Sequence, residues 1–198
     1  MRDFYETHRL KWDGAVDADG HILEPSSLWE NYIDPKYREV ALRVVKDEHG
    51  LDELQINGQR SRMSRRGFPS TLAAMGRPDL GEMMFDPDVT YDNHAPPAAT
   101  DPKERLKYLD QEHIDAAVIY TTTGLLWEAE LEDADVSQAY TKAYNRWICE
   151  WCSDSGGRLI PTAHLSLTDP KAAAKELDRA VGEGARGGYV APVPPDPS

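Results

Sequence analysis

The sequence predicts an α/β fold built on a parallel sheet, and two observations carry that prediction. Short, apolar, β-rich runs alternate with amphipathic helical stretches across residues 101–191. Two of those helices open on the same pattern, DPKERLKYLD at 101–110 and DPKAAAKELD at 169–178, as stacked units of similar geometry would. Strands separated by helices need crossover connections, which makes them parallel, either in a barrel or in an open doubly wound sheet.

The first strand is Gly14-Ala15-Val16-Asp17-Ala18-Asp19-Gly20-His21, a short run that ends in polar residues. A long irregular stretch follows, here taken as an insertion over 22–100. Within it, Ala41 to Val45 and Leu54 to Ile56 flank His49-Gly50 as a hairpin would. Its remainder is rich in Arg, Met, Pro, Gly and Asp and has little periodicity, so a covering loop is expected. Asp101-Pro102-Lys103-Glu104 then starts a helix, with a capping carboxylate, a proline at the first helical position and an acid in the first turn. That helix is expected to run to about His113, and Ala116–Tyr120 reads as the next strand. Val136, Ala139, Tyr140, Ala143, Tyr144, Trp147, Ile148 and Trp151 recur at helical spacing, which predicts a helix over 135–153. Strands near 158–163 and 187–191 enclose a last helix at 170–182.

A formal net charge of −13 argues against a nucleic-acid partner or an anionic membrane surface, both of which select clustered Lys and Arg. No apolar run approaches the ~18 residues of a spanning helix, and MRDFYETHRLKWDG lacks the apolar centre of a signal peptide. A cytoplasmic location is the expectation. The two cysteines, Cys149 and Cys152, form a CxxC at the far end of the long helix rather than at a helix N-terminus. That placement favours packing over redox chemistry.

Asp19-Gly20-His21 is the main chemical signal. Alternation along a strand points Asp19 and His21 the same way, and Asp17 with them. A carboxylate beside an imidazole suits Zn²⁺, Mn²⁺ or Fe²⁺, and the carboxyl end of a parallel strand is where barrel active sites lie. Alone, the pair reads rather as a turn with Asp as a helix cap and a surface histidine.

The segment VDADGHILEPSSLWENYIDPKYRE resembles the opening of the amidohydrolase-related family, in the branch that holds aminocarboxymuconate-semialdehyde decarboxylase and the resorcylate-type decarboxylases. The matching features are Asp19-x-His21 followed by Glu24-Pro25, then RLKYLDQEHIDAAVIYTT at 105–122, AYNRWICEWC at 143–152 and RLIPTAHLSLTDPKAAAKELDRAV at 158–181. The resemblance implies a metal-dependent hydrolase-type (β/α)8 TIM barrel and a divalent metal ion, Zn²⁺ or Mn²⁺, held by Asp19 and His21. It implies a small-molecule carboxylate substrate and non-oxidative decarboxylation, with hydrolysis of a C–N or C–O bond as the alternative. Family members are nearly twice as long and supply a further His and a proton-transferring Asp from later strands. The chain is therefore expected to be one domain over 1–198 holding about four of the eight βα units. A fragment with little activity alone is expected, completed by a C-terminal half or by self-association. A non-catalytic half-barrel that needs a partner chain remains open.

Three further residues are weaker candidates. His164, just past a strand, suits a catalytic or substrate-contacting role or a hydrogen-bonded structural one. Arg65 and Arg66, in a local basic cluster with Arg60 and Arg62, suit a substrate carboxylate or a solvated loop face.

Overall fold

The structure is a computed structural model and describes residues 14–74 and 77–192. Four strands, β1 (Val16–His21), β5 (Ala116–Tyr120), β6 (Leu159–Leu165) and β7 (Gly187–Val190), form one sheet in the order β1-β5-β6-β7. All three pairings are parallel, as the alternating pattern predicted. A second, antiparallel sheet of β2 (Arg43–Lys46), β3 (Asp52–Ile56) and β4 (Gln59–Arg60) holds the expected hairpin and adds a short third strand.

The helices are α1 (Leu28–Tyr32), α2 (Leu80–Met83), α3 (Pro97–Thr100), α4 (Pro102–Gln111), α5 (Gly124–Trp127), α6 (Ala134–Cys152) and α7 (Pro170–Glu183). The long ones start where the sequence places them because each has a carboxylate cap. Asp101 accepts from the amides of Lys103 and Glu104, and Asp169 from those of Lys171 and Ala172. Asp133 does the same for α6. Each cap satisfies amides that the first helical turn leaves without partners. At the far end of α4, His113 adopts a left-handed backbone (φ 58°) and turns the chain toward β5.

The sheet order separates the two architectures left open by the pattern. A doubly wound sheet reverses its strand order at a switch point, whereas a barrel adds each new strand outside the last. Here the four strands run in simple succession. Leu159 packs with Leu109, Ala117, Ile119, Tyr144 and Ile148 in the main core, so α4 and α6 cover one face. Ala163 and Leu165 pack with Ala173 and Ala180 of α7 on that same face. The main core also takes in Trp29, Leu42, Leu54, Trp127 and Tyr140, which ties the antiparallel sheet to α6.

Cys149 and Cys152 are buried and unbridged within α6. Burial pushes the Cys152 thiol up to about 12, the opposite of an activated thiolate, so packing accounts for the CxxC. No helix among the described residues is long and apolar enough to cross a membrane.

Candidate metal centre at the end of the first strand

The end of β1 departs from strict alternation. Asp17 pairs with Ala117 but Gly20 pairs with Ile119, so β1 carries one extra residue between them, a bulge. Asp17 Oδ1 accepts from the amide of Asp19 at 3.0 Å inside it. Across the bulge Asp17 and Gly20 fall on the same side, since a Cβ at Gly20 would lie 3.0 Å from Asp17 Oδ2 and 3.4 Å from Arg105 Nη2. Asp17 therefore does not point with Asp19 and His21, as simple alternation had it. Arg105, on α4, donates to the His21 carbonyl at 2.7 Å and anchors the end of the strand.

Asp19 and His21 do come together, with His21 Nε2 3.5 Å from Asp19 Oδ1. The Asp19 side chain is 89% exposed and that of His21 39%, so both are open to a ligand. The other ring nitrogen, Nδ1, lies 2.7 Å from the Thr121 carbonyl, which can only accept. Nδ1 therefore carries a proton, and Nε2 is the ring nitrogen turned toward the Asp19 carboxylate. A histidine that donates one ring N–H to a carbonyl while offering the other nitrogen is the usual metal-binding arrangement. The pair fits a divalent cation in donor type and orientation, but it makes only part of a coordination sphere. Among the described residues no group of three or more His, Cys, Asp or Glu side chains is placed to hold a metal ion.

Sequence reasoning missed what fixes this geometry. Glu24 is fully buried, and its carboxylate gathers the loop after β5. Oε1 accepts from the Thr121 hydroxyl at 2.5 Å and the Thr122 amide at 2.9 Å, and Oε2 from the Thr123 amide at 3.1 Å. The Thr122 hydroxyl donates to the Ile22 carbonyl, so the segments after β1 and β5 are laced together. The sequence offers two hints, an acid set in the otherwise apolar run Ile22-Leu23-Glu24-Pro25 and the Glu24-Pro25 of the family resemblance, and neither points to residues 121–123. The segment between β1 and α4 docks on the same point, since the buried Tyr91 hydroxyl donates to the Glu24 carbonyl at 2.6 Å.

His164 lies further round the sheet, fully buried, with Nε2 2.7 Å from Glu128 Oε2. The rings of Trp127 and Tyr189 stand 4.7 and 5.1 Å from it. Pairing of β5 with β6 stops at Pro161, and beyond it the Asn145 side chain of α6 bonds both the amide and the carbonyl of His164. Those contacts engage Nε2 and both backbone groups of His164. Arg66 is also engaged, 2.6 Å from Asp47 and 2.8 Å from Glu48, whereas Arg65 is exposed. Arg60 and Arg62 face Glu53 and Glu130 at 3.0 and 3.9 Å.

The profile of a family described as Amidohydrolase matches residues 16–196. A crystal structure of an amidohydrolase from Mycobacterium avium subsp. paratuberculosis K-10 superposes with a TM-score of 0.68 at 21% identity. The alignment covers 94% of this chain and 51% of that one, so the chain spans about half of its neighbour. Among curated proteins none matches. With the succession of strands, the superposition makes the parallel sheet an incomplete TIM barrel.

Proposed function

Because the chain belongs to the amidohydrolase family, a group of generally metal-dependent hydrolase-type enzymes, we propose that it serves a metal-dependent reaction on a small carboxylate, with Asp19 and His21 as ligands. The observation that supports this is the His21 ring, held by the Thr121 carbonyl so that Nε2 faces Asp19 at the carboxyl end of β1. We assign the reaction to non-oxidative decarboxylation, on the resemblance of the β1 segment to the decarboxylase branch. The hydrolase reading is favoured instead by the family description and by that of the mycobacterial neighbour.

The bound ion, Zn²⁺ or Mn²⁺, would supply Lewis acidity toward a substrate oxygen. The work of this chain is to hold and orient. Asp19 contributes a carboxylate, His21 a neutral imidazole of fixed tautomer, and Arg105 steadies the strand end. Catalytic divalent ions typically have three or more protein ligands, so strands beyond β7 complete the sphere, in cis or on a second chain, and supply the proton-transferring acid.

The test measures bound metal by elemental analysis and turnover on a panel of aromatic and enol carboxylates, with amides and esters as the competing set. The 198-residue chain should bind metal weakly and turn over slowly, and the complementing half should restore both. Asp19→Ala or His21→Ala in the completed protein should remove metal and activity together. Full activity after His21→Ala would sink the assignment, and cleavage of amides or esters without CO₂ release would select the hydrolase.

A further inference from the structure

We propose that Glu24 is a positioning residue that sets the tautomer of His21 through the loop Thr121–Thr123. The inference rests on the reading of His21 as a metal ligand and adds what prepares it for that role.

Three donors converge on the Glu24 carboxylate: the Thr121 hydroxyl, the Thr122 amide and the Thr123 amide. Glu24 is fully buried, and a buried carboxylate among three donors acts as a fixed acceptor hub. The loop it gathers leaves β5 at Tyr120 and has no ladder partner of its own, so the hub sets its path. The Thr121 hydroxyl also accepts from the Gly124 amide at 2.9 Å, which starts α5. The Thr121 carbonyl is thus held from both sides, and it is the acceptor for His21 Nδ1–H. A carbonyl requires a proton on the imidazole nitrogen it faces, so a neutral ring held this way keeps its lone pair on Nε2.

The hub is itself tied down. Tyr91 donates to the Glu24 carbonyl, and burial, with the Glu24 charge adding to it, raises the Tyr91 phenol well above its ordinary value and keeps it a donor. Loss of the carboxylate would leave two backbone amides and a hydroxyl unpaired in a buried place. The loop would relax to find other acceptors, the Thr121 carbonyl would move, and the His21 proton would be free to exchange between its nitrogens.

The experiment reads the tautomer directly. The ¹⁵N-labelled full chain, stripped of metal with a chelator, is examined at neutral pH by long-range ¹H–¹⁵N correlation. His21 is identified by its loss in His21→Gln. The unsubstituted chain should show Nδ1–H alone, and Glu24→Gln should show a mixture, because its amide places donors where donors already point. Zn²⁺ affinity, measured calorimetrically, should fall by roughly 10–100-fold in Glu24→Gln, the range for losing a group that orients a metal ligand. Thr121→Val removes only one donor, keeps the carbonyl, and should give a smaller shift of both readouts; it decides the question if Glu24→Gln does not fold. A folded Glu24→Gln, or failing that Thr121→Val, that keeps pure Nδ1–H would overturn the inference, and so would Nε2–H in the unsubstituted chain. If the tautomer responds as expected but the completed protein keeps its metal after His21→Ala, the metal assignment fails and the positioning role stands.

Discussion

His164 Nε2 and Glu128 Oε2 lie 2.7 Å apart, with the imidazole fully buried and the carboxylate side chain 13% exposed. The second ring nitrogen, Nδ1, is buried without a partner among the described residues. A carboxylate can only accept, so the contact is Nε2–H donating to Glu128. A hydrogen bond to a charged acceptor contributes about 1.5–3 kcal/mol. Glu128→Ala should lower stability by about that amount in urea unfolding, and Glu128→Gln by less, because its amide oxygen still accepts. A double-mutant cycle with His164→Phe should show that most of the loss is shared between the two residues.

Gly124 sits where no side chain fits. A Cβ there would lie 2.2 Å from Thr121 Oγ1 and 2.8 Å from His164 Nδ1. Both side chains are buried, Thr121 held through its hydroxyl and His164 through Nε2, so neither can give way cheaply. Gly124→Ala should cost at least the ~1–3 kcal/mol of an overpacked core. Gly182, inside α7 with nothing among the described residues within 4 Å of its would-be Cβ, is the matched control. Gly182→Ala should raise stability by about 0.8–1 kcal/mol through helix propensity alone. Thermal unfolding of both variants checks the pair of signs.

Much of this was legible because it is local. The three long helices carry their caps at Asp101, Asp133 and Asp169, and the strands alternate with them, so element order and parallel pairing follow from neighbouring residues. Asp19 and His21 stand two residues apart on one strand and meet as expected. Asp17 does not join them, because a bulge depends on register with β5 and leaves no mark in the apolar pattern of β1. Glu24 stood in plain view beside Pro25, yet its partners at 121–123 lie almost a hundred residues away. Glu128 follows a one-turn helix too short to show periodicity, so nothing linked it to His164. Long-range polar pairing has no period to read.

The arginines between β1 and α4 separate by the same physics. Arg66 bridges Asp47 and Glu48 and so pins the β2–β3 turn, whereas Arg65 projects into solvent. Arg66→Ala should reduce stability by up to about 1 kcal/mol, since Arg66 is part-exposed and salt screens the contact. The loss should shrink in high salt. Arg65→Ala should leave unfolding unchanged. Should the insertion contact a substrate carboxylate, Arg65→Ala in the completed enzyme raises KM and leaves kcat alone. A fall in kcat would place Arg65 at the reacting atoms instead.

The thiols of α6 predict a pH dependence whose sign follows from burial. Desolvation holds Cys152 protonated up to about 12, against 9.0 for the unperturbed group, and raises Cys149 as well. Below pH 9 the thiols are protonated in folded and unfolded chains alike and add no slope. Above it the unfolded chain releases its thiol protons while the folded chain keeps them. Proton release then favours unfolding, so stability falls as pH rises from about 9 toward 12. Cys152→Ala should flatten part of that decline, which urea titrations at pH 8, 9 and 10 on both proteins would show as a smaller difference between pH values. Tyrosines and lysines titrate in the same range, so the comparison with the variant, rather than the slope itself, isolates the thiol. The same burial should make both cysteines slow toward a thiol reagent at pH 8 in the folded chain and fast after denaturation. Rapid modification of the native chain would show that the end of α6 opens, and the packing account of the CxxC would then be wrong.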